Sequence, residues 1–133
     1  MAIDTYSGVK YTNAISPATT TGVGTKTGAV IDTAGYRSNT FIFHSGIQSV
    51  TATVVPVILS GTVTGTLASC AAAELIGTEA AAAAIVGATL TTGAVAAIGY
   101  IGTDRYVRCD LIIGGVSTGF YSAILAQSDA IKK

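Results

Sequence analysis

The most regular alternation of apolar and polar residues lies between residues 105 and 113. Every second position is apolar: Val107, Cys109, Leu111 and Ile113. Tyr106, Arg108 and Asp110 alternate with the first three of them and are polar. Because successive side chains of a β-strand point to opposite faces, we predict a strand with its apolar face in the core and its polar face toward water or a partner. Arg108 and Asp110 are close enough in sequence to pair along that polar face.

A second run rich in β-branched and aromatic residues, 94–101, comes just before this strand. The turn-forming sequence Gly102-Thr103-Asp104 separates the two runs. Two strands joined by a short cluster of turn residues are typical of a β-hairpin. We therefore predict a hairpin over residues 98–113.

Shorter runs of the same kind occupy most of the remaining chain. Residues 27–32, 36–44, 47–59, 62–67 and 117–127 are rich in strand formers and are separated by turn residues. The chain thus contains about seven to nine short strands at spacings of roughly 8–12 residues, which is typical of an all-β fold. We predict an antiparallel β-sandwich or a jelly-roll-like barrel.

Two details predict how these strands lie in their sheets. Phe41 and Phe43 share one face of their strand, opposite Ile42 and His44. Pro56 has no backbone N–H to donate, so its strand should lie at a sheet edge or bend at that residue.

An alanine-rich segment, residues 71–84, interrupts the strand pattern. Alanine and glutamate favour a helix locally, but Gly77 breaks the segment. Thr78 is a suitable N-cap and Gly87 a suitable end, so we predict a short helix over residues 79–85.

The two ends of the chain differ from its middle. Residues 1–28 contain widely spaced apolar residues, Pro17 and a threonine run, so we predict an extended N-terminal arm that lies on its own domain or on a neighbouring subunit. Residues 29–127 form the predicted β-sandwich domain. Residues 128–133 form a polar C-terminal tail.

Charge is scarce and balanced. Charged residues make up 11% of the chain, against about 25% in typical globular proteins. Seven basic residues balance seven acidic ones, so the basic footprint of a nucleic-acid-binding protein is absent. Because solubility favours a net charge away from zero, the composition indicates either a surface buried against other subunits or an ordinary threonine-rich β domain.

The sequence gives no sign of membrane insertion or export. Residues 80–103 are uncharged, but threonines and glycines interrupt them, and no flanking basic residues or aromatic belt are present. The first residues lack the basic and apolar regions of a signal peptide. We expect a protein made in the cytoplasm, with no membrane partner.

Catalytic and metal-binding patterns are missing. His44 is the single histidine, and no Gly-x-Ser-x-Gly motif accompanies it. The carboxylates are scattered, and neither a Cys-x-x-Cys pair nor a calcium loop occurs. We expect no enzyme activity, no cofactor and no metal. Cys70 and Cys109 are expected to be free thiols, with Cys109 buried.

Tyrosine and arginine are the preferred anchors of protein–protein interfaces, so residues of these two types are candidate contacts. The candidate interface residues are Tyr6, Tyr11, Tyr36, Arg37, Arg105, Tyr106 and Arg108.

Three segments, in this order, carry a resemblance to a known family: residues 31–43, 74–80 and 98–108. They begin Ile31-Asp32-Thr33-Ala34-Gly35-Tyr36, Glu74-Leu75-Ile76-Gly77-Thr78-Glu79 and Ile98-Gly99-Tyr100-Ile101-Gly102. Over about residues 27–127 the chain resembles small virion proteins of tailed bacteriophages that are encoded near the major capsid protein.

The resemblance implies a structural protein of the phage head, a decoration or cement protein on the outer surface of the capsid. It implies the major capsid protein as partner and a homo-oligomer, with a trimer as one possibility. No catalytic residues are implied. The alternatives are a neck or tail component of the virion and a carbohydrate-binding β-sandwich module, because all-β sandwiches host many unrelated functions.

Overall fold

The computed structural model describes residues 8–48, 53–86, 93–115 and 118–130. These residues form ten β-strands: β1 (Val9–Thr21), β2 (Gly24–Thr27), β3 (Ile31–Asp32), β4 (Tyr36–Gln48), β5 (Thr53–Val63), β6 (Thr66–Ser69), β7 (Leu75–Ile76), β8 (Ala94–Tyr100), β9 (Tyr106–Gly114) and β10 (Thr118–Ala130). A 3-10 helix covers Ala72–Glu74, and an α-helix, α1, covers Glu79–Val86.

The strands form two antiparallel sheets. Sheet A has the order β1-β10-β4-β8-β7, and sheet B has the order β2-β9-β5-β6, with β3 also paired to β9. Apart from the two-residue strands β3 and β7 and the β5–β6 hairpin, successive strands alternate between the sheets. This is the strand order of a jelly roll, with eight main strands in two packed sheets. The predicted all-β sandwich is therefore confirmed.

The core lies between the inner faces of the two sheets. Sheet A contributes Phe41 and Phe43 from β4, and sheet B contributes Ile58 from β5. The four apolar residues of β9 on which the first strand prediction rests, Val107, Cys109, Leu111 and Ile113, are also buried. Both predicted faces, that of β9 and that of Phe41 and Phe43, are thus correct.

The predicted hairpin over residues 98–113 is wrong. Its two strands, β8 and β9, lie in different sheets, and β8 pairs with β4 while β9 pairs with β5. The turn between them is a corner from sheet A to sheet B. The Tyr100 ring folds beneath this corner, where a Cβ on Gly102 would overlap it, and its hydroxyl accepts from the N–H of Asp104 at 3.0 Å.

Most of the predicted N-terminal arm belongs to the sandwich itself. β1 pairs with β10 from Val9 to Thr21, and β2 pairs with β9, so residues 9–27 complete an edge of each sheet. Ala14 and Ile15 are buried in the core. Of the two places expected for the arm, its own domain is the one found for the described residues. Residues 1–7 lie outside them.

Two other element boundaries differ from the prediction. β10 continues to Ala130, so the first residues of the predicted polar tail, 128–130, are strand residues. β4 runs through Ser45 and Gly46 to Gln48, where we expected a turn. Residues 131–133 lie outside the described part of the chain.

The predicted helix is confirmed as α1. The Thr78 hydroxyl accepts from the N–H of Ala81 at 3.0 Å, as an N-cap does, while Gly87 lies outside the described residues. The Glu79 carboxylate accepts from the N–H of Ile58 at 2.6 Å and ties α1 to β5. Pro56 lies where β5 is open on its β6 side, since pairing with β6 begins at Leu59. That position fits the expected sheet edge.

Candidate functional site

A cleft opens between the two sheets at one end of the sandwich. It lies between the turn from β3 to β4 and the corner from β8 to β9, with a volume of about 470 Å³. Strand alternation places Arg37 and Asn39 on the face of β4 that carries Phe41 and Phe43 deeper in the core. The core face of β4 therefore continues into the cleft with polar side chains.

Hydrogen bonds hold both walls of the cleft in place. The Thr33 N–H and hydroxyl each donate to the carbonyl oxygen of Arg105 at 2.8 Å, and the hydroxyl also reaches the carbonyl oxygen of Asp104 at 3.3 Å. The Ser60 hydroxyl donates to the Asp104 carboxylate at 2.8 Å. Because these bonds join the two walls, the cleft is formed before any ligand enters, as is usual for binding sites.

An ion pair lies on the outer rim of the cleft. Arg105 donates to both carboxylate oxygens of Asp32, with its shortest contact at 2.8 Å from Nη2 to Oδ2. The hydrogen bonds from Arg105 hold the pKa of the Asp32 carboxyl below its ordinary value of 3.8. The Arg105 guanidinium also lies 5.2 Å from the centre of the Tyr106 ring, a cation–π distance.

The carboxylates whose side chains the structure describes are engaged internally. Every acidic side chain in the part of the chain whose side chains the structure describes accepts a hydrogen bond: Asp32, Glu74, Glu79, Asp104 and Asp110. Among the same described side chains, three cations have no carboxylate partner: Lys10, Lys26 and Arg37. Two of the three lie at the cleft end, because Arg37 lines the cleft and the Lys10 amine lies 5.6 Å from the Tyr36 ring centre.

Asn39 forms a polar part of the cleft lining, and a hydrogen bond from the buried Gln127 holds its side chain. The fully buried Gln127 donates from Nε2 to the Asn39 Oδ1 at 3.0 Å and to the carbonyl oxygen of Asp32 at 3.2 Å. The amide nitrogen of Asn39 has no hydrogen-bond partner among the described residues. Asn39 therefore offers two N–H donors to the cleft.

The outer face of sheet A is a separate feature, and we call it the apolar face. It exposes large apolar side chains from five strands: Tyr11, Ile42, Ile76, Val95, Phe120 and Ile124. The strand register places Ile124 beside Ile42 across β10 and β4, and Ile42 beside Ala97 of β8. Val95 pairs with the exposed His44 on the same face. At the described strand positions of this face, no lysine, arginine, aspartate or glutamate occurs.

The outer face of sheet B is less apolar. The predicted pair of Arg108 and Asp110 is present there, with Nη2 and Oδ2 2.9 Å apart. Asp110 lies on the predicted polar face, which we expected to meet water or a partner, but it is only 8% exposed and also accepts from the N–H of Gly28 at 3.1 Å. The N-terminal segment covers it. Ile112, two positions along the same face, is exposed.

The structure divides the predicted interface residues among several places. Tyr36, Arg37 and Arg105 line the cleft, and Tyr106 lies beside it under Arg105. The other predicted positions are apart from it: Tyr11 on the apolar face, Arg108 on the outer face of sheet B, and Tyr6 outside the described residues.

Sequence reasoning missed the remaining parts of both surfaces. Asn39 and Gln127 carry no motif, although Asn39 continues the alternation of Phe41 and Phe43 toward the strand end. Phe120 and Ile124 share a strand face in the sequence pattern, but that face points outward, and Tyr121, Ala123 and Leu125 fill the core instead. Both faces of β10 are apolar, so the pattern alone does not identify the outer one.

Metal and thiol chemistry find little support in the described residues. No group of three or more histidine, cysteine, aspartate or glutamate side chains there could hold a metal ion. Cys70 and Cys109 are both free thiols, as expected. Burial raises the pKa of Cys109 to about 12, so this thiol stays protonated and unreactive at neutral pH. No described helix has the length and apolar character needed to cross a bilayer.

Comparisons with known proteins add no family assignment. No protein-family model matches the chain, and no curated protein sequence matches it.

Proposed function

We propose that this protein is a structural component of a tailed-phage head that binds the outer surface of the capsid and stabilises it. Two independent lines support the proposal. One is the resemblance of three sequence segments to small phage virion proteins. The other is the apolar face, which is the single structural feature that carries the proposal.

The apolar face has the properties of a surface that is covered in the assembled state. Val95, Phe120 and Ile76 are 59%, 56% and 62% exposed on one sheet. Single exposed apolar residues are ordinary, but six large ones on one face of a single sheet indicate an interaction surface. With no charged residue among its described strand positions, the face loses little hydration energy when a partner covers it.

The proposed mechanism is adhesion to the major capsid protein. A protein that binds the assembled shell, and not its separated subunits, lowers the free energy of the assembled state by the free energy of binding. Repeated copies across the joints between capsid subunits would raise the stability of the whole shell. A homo-oligomer would multiply the contacts of each bound unit with the shell.

The copy number of the protein in purified particles tests the location. Quantitative mass spectrometry against the major capsid protein should find hundreds of copies per particle for a head decoration protein. A dozen or fewer copies would indicate the neck or tail. Absence from particles would refute a virion role.

A pair of matched variants tests the surface. Val95→Lys places a charge on the apolar face, and Ile112→Lys places the same charge at a comparably exposed position, 47%, on sheet B. Shells of the major capsid protein are mixed with each variant and sedimented, and thermal disruption of the shells is then followed. We expect Val95→Lys to lose binding and stabilisation while Ile112→Lys retains both. Equal binding by the two variants would contradict the proposed surface.

A further inference from the structure

The single histidine of the chain, His44, lies within the apolar face. It is exposed on β4, where it pairs with Ser122 of β10 on one side and with Val95 of β8 on the other. His44, Ser122 and Phe120 also line one cavity of about 200 Å³. The imidazole is therefore surrounded by side chains that the proposed partner covers.

No described side chain holds the imidazole in one charge state. Among the residues that the structure describes, His44 has neither a hydrogen-bond partner nor an ion pair. Its Nε2 lies toward the start of β8, where a Cβ on Gly93 would be 3.3 Å away. The charge of His44 is thus free to follow the pH of the solvent.

The charged groups of the elements around His44 do not face it. At their described positions on this face, β1, β4, β8 and β10 carry no lysine, arginine, aspartate or glutamate. The helix α1 packs against β4 and β8 and carries one carboxylate, Glu79, which accepts from the N–H of Ile58 in sheet B. Tyr11 on the same face pairs with Ala126, roughly 13 Å along β10 from Ser122, and a phenol ionises only near pH 10.

The segments between the described ranges add no charge either. Residues 49–52, 87–92 and 116–117 contain no ionisable side chain. The strand ends that lead to the two chain ends, Val9 and Ala130, are roughly 20 Å or more along sheet A from His44. Lys10 and Asp129 lie toward that same end.

We propose that His44 makes the apolar face sensitive to pH: protonation of its imidazole weakens the association of this face with an apolar partner surface, so that mild acid releases the partner. That this partner is the capsid rests on the proposed function. Histidine is the side chain whose charge changes between pH 5 and pH 8, and an unpaired charge resists transfer out of water. A covered apolar face therefore accepts only the neutral imidazole.

The titration of an imidazole gives the sign and the size of the effect. An imidazole in water is about one-tenth protonated at pH 7.5 and about nine-tenths protonated at pH 5.5. Because association selects the neutral form, the fraction of molecules that can associate falls about tenfold between these two pH values. The apparent affinity falls by the same factor as the pH is lowered.

Chromatography on a phenyl matrix tests the proposal without a capsid. The wild type and His44→Gln are loaded in ammonium sulfate at pH 7.5 and at pH 5.5, and the salt is then lowered. We expect the wild type to elute at a higher salt concentration at pH 5.5 than at pH 7.5, and His44→Gln to elute at the same salt concentration at both. Val95→Lys, with a permanent charge on the face, should elute early at both. Equal shifts in the wild type and His44→Gln, or no shift in the wild type, would overturn the proposal.

Sedimentation with shells of the major capsid protein tests the same effect on the proposed partner. The wild type should bind about tenfold more weakly at pH 5.5 than at pH 7.5, whereas the affinity of His44→Gln should change by no more than about twofold. A double variant, His44→Gln with Ile112→His, moves the histidine to the outer face of sheet B and should behave like His44→Gln.

The possible outcomes separate this proposal from the proposed function. Tighter binding of the wild type at pH 5.5 would overturn the role of His44, because it would place a carboxylate of the partner against the imidazole. Failure of the wild type to bind shells at pH 7.5 would refute the capsid role. The phenyl matrix would still decide whether His44 controls the apolar face.

Discussion

At the scale of single residues, Cys109 links burial to a measurable pH dependence. Its thiol is fully buried on β9, and burial raises its pKa from the ordinary 9.0 to about 12. Between these values the unfolded chain releases a proton that the folded protein retains. The unfolded state then binds fewer protons, so the free energy of unfolding must fall as the pH rises above about 9.

We predict that the urea midpoint of the protein decreases from pH 8 to pH 10, and that Cys109→Ala reduces the slope of this decrease. Tyrosine ionisation contributes to both proteins, so the difference between them isolates the thiol. In a Cys70→Ser background, a thiol reagent at pH 8 should leave Cys109 unmodified until urea unfolds the chain. Rapid modification of the folded protein would show that Cys109 is accessible.

At the scale of the elements, the close approach of β5 and β6 depends on a glycine. Gly61 is buried in β5, and a Cβ there would overlap the carbonyl oxygen of Thr66 and lie 2.9 Å from a methyl of Leu67. Gly65, in the turn between the same strands, has open space around it. Substituting each of the two glycines therefore distinguishes the steric effect of an added methyl from the general effect of replacing a glycine.

We predict that Gly61→Ala lowers the free energy of unfolding by about 1–3 kcal/mol, because the added methyl forces the hairpin apart. Gly65→Ala should be neutral or stabilise the protein by up to about 1 kcal/mol, since it restricts only the unfolded chain. Urea denaturation of both variants measures the difference. Similar losses in both would mean that the β5–β6 contact does not depend on the missing side chain.

Sequence patterns predict where the strands lie and which face is buried better than they predict which strands pair. The alternation of Val107, Cys109 and Leu111 identified the buried face of β9, because strand periodicity is a local property. The partner of β9 is β5, at a distant position in the sequence, and the turn residues before β9 are equally compatible with a hairpin and with a corner between sheets. The corner that forms has the Tyr100 ring packed under Gly102, a contact that strand periodicity does not reveal.

The same limit applies to the candidate surfaces. Arg37 and Arg105 were predicted from residue type, because arginine is a common interface anchor. Arg37, Arg105 and Asn39 line the same cleft. That cleft forms where two connections between the sheets meet, β3–β4 and β8–β9, and no local sequence pattern predicts this meeting. The apolar face was missed for a related reason, since both faces of β10 carry apolar residues.

At the scale of the whole molecule, the N-terminal residues supply an edge strand to each sheet and a side chain to the core. β1 covers one edge of β10, β2 covers one edge of β9, and Ile15 is 2% exposed in the core. Residues 1–28 are therefore expected to be required for folding, and not only for contacts with a neighbour.

We predict that a chain lacking residues 1–28 does not unfold cooperatively, whereas a chain lacking only residues 1–7 does, because it keeps every described pairing of β1. Circular dichroism during heating distinguishes the two. A sharp transition in the shorter chain, with an unchanged strand signal, would show that the sandwich is complete without β1 and β2.

The pairing of β1 with β10 also determines how late in synthesis sheet A can be completed. Val9 lies opposite Ser128, so β1 has no partner until almost the whole of this chain has been synthesised. Contacts between such distant parts of a chain form slowly, because a large loop must close before they stabilise anything. Until then β1 is an unpaired strand in a crowded cell, and molecular chaperones are the expected protection for it.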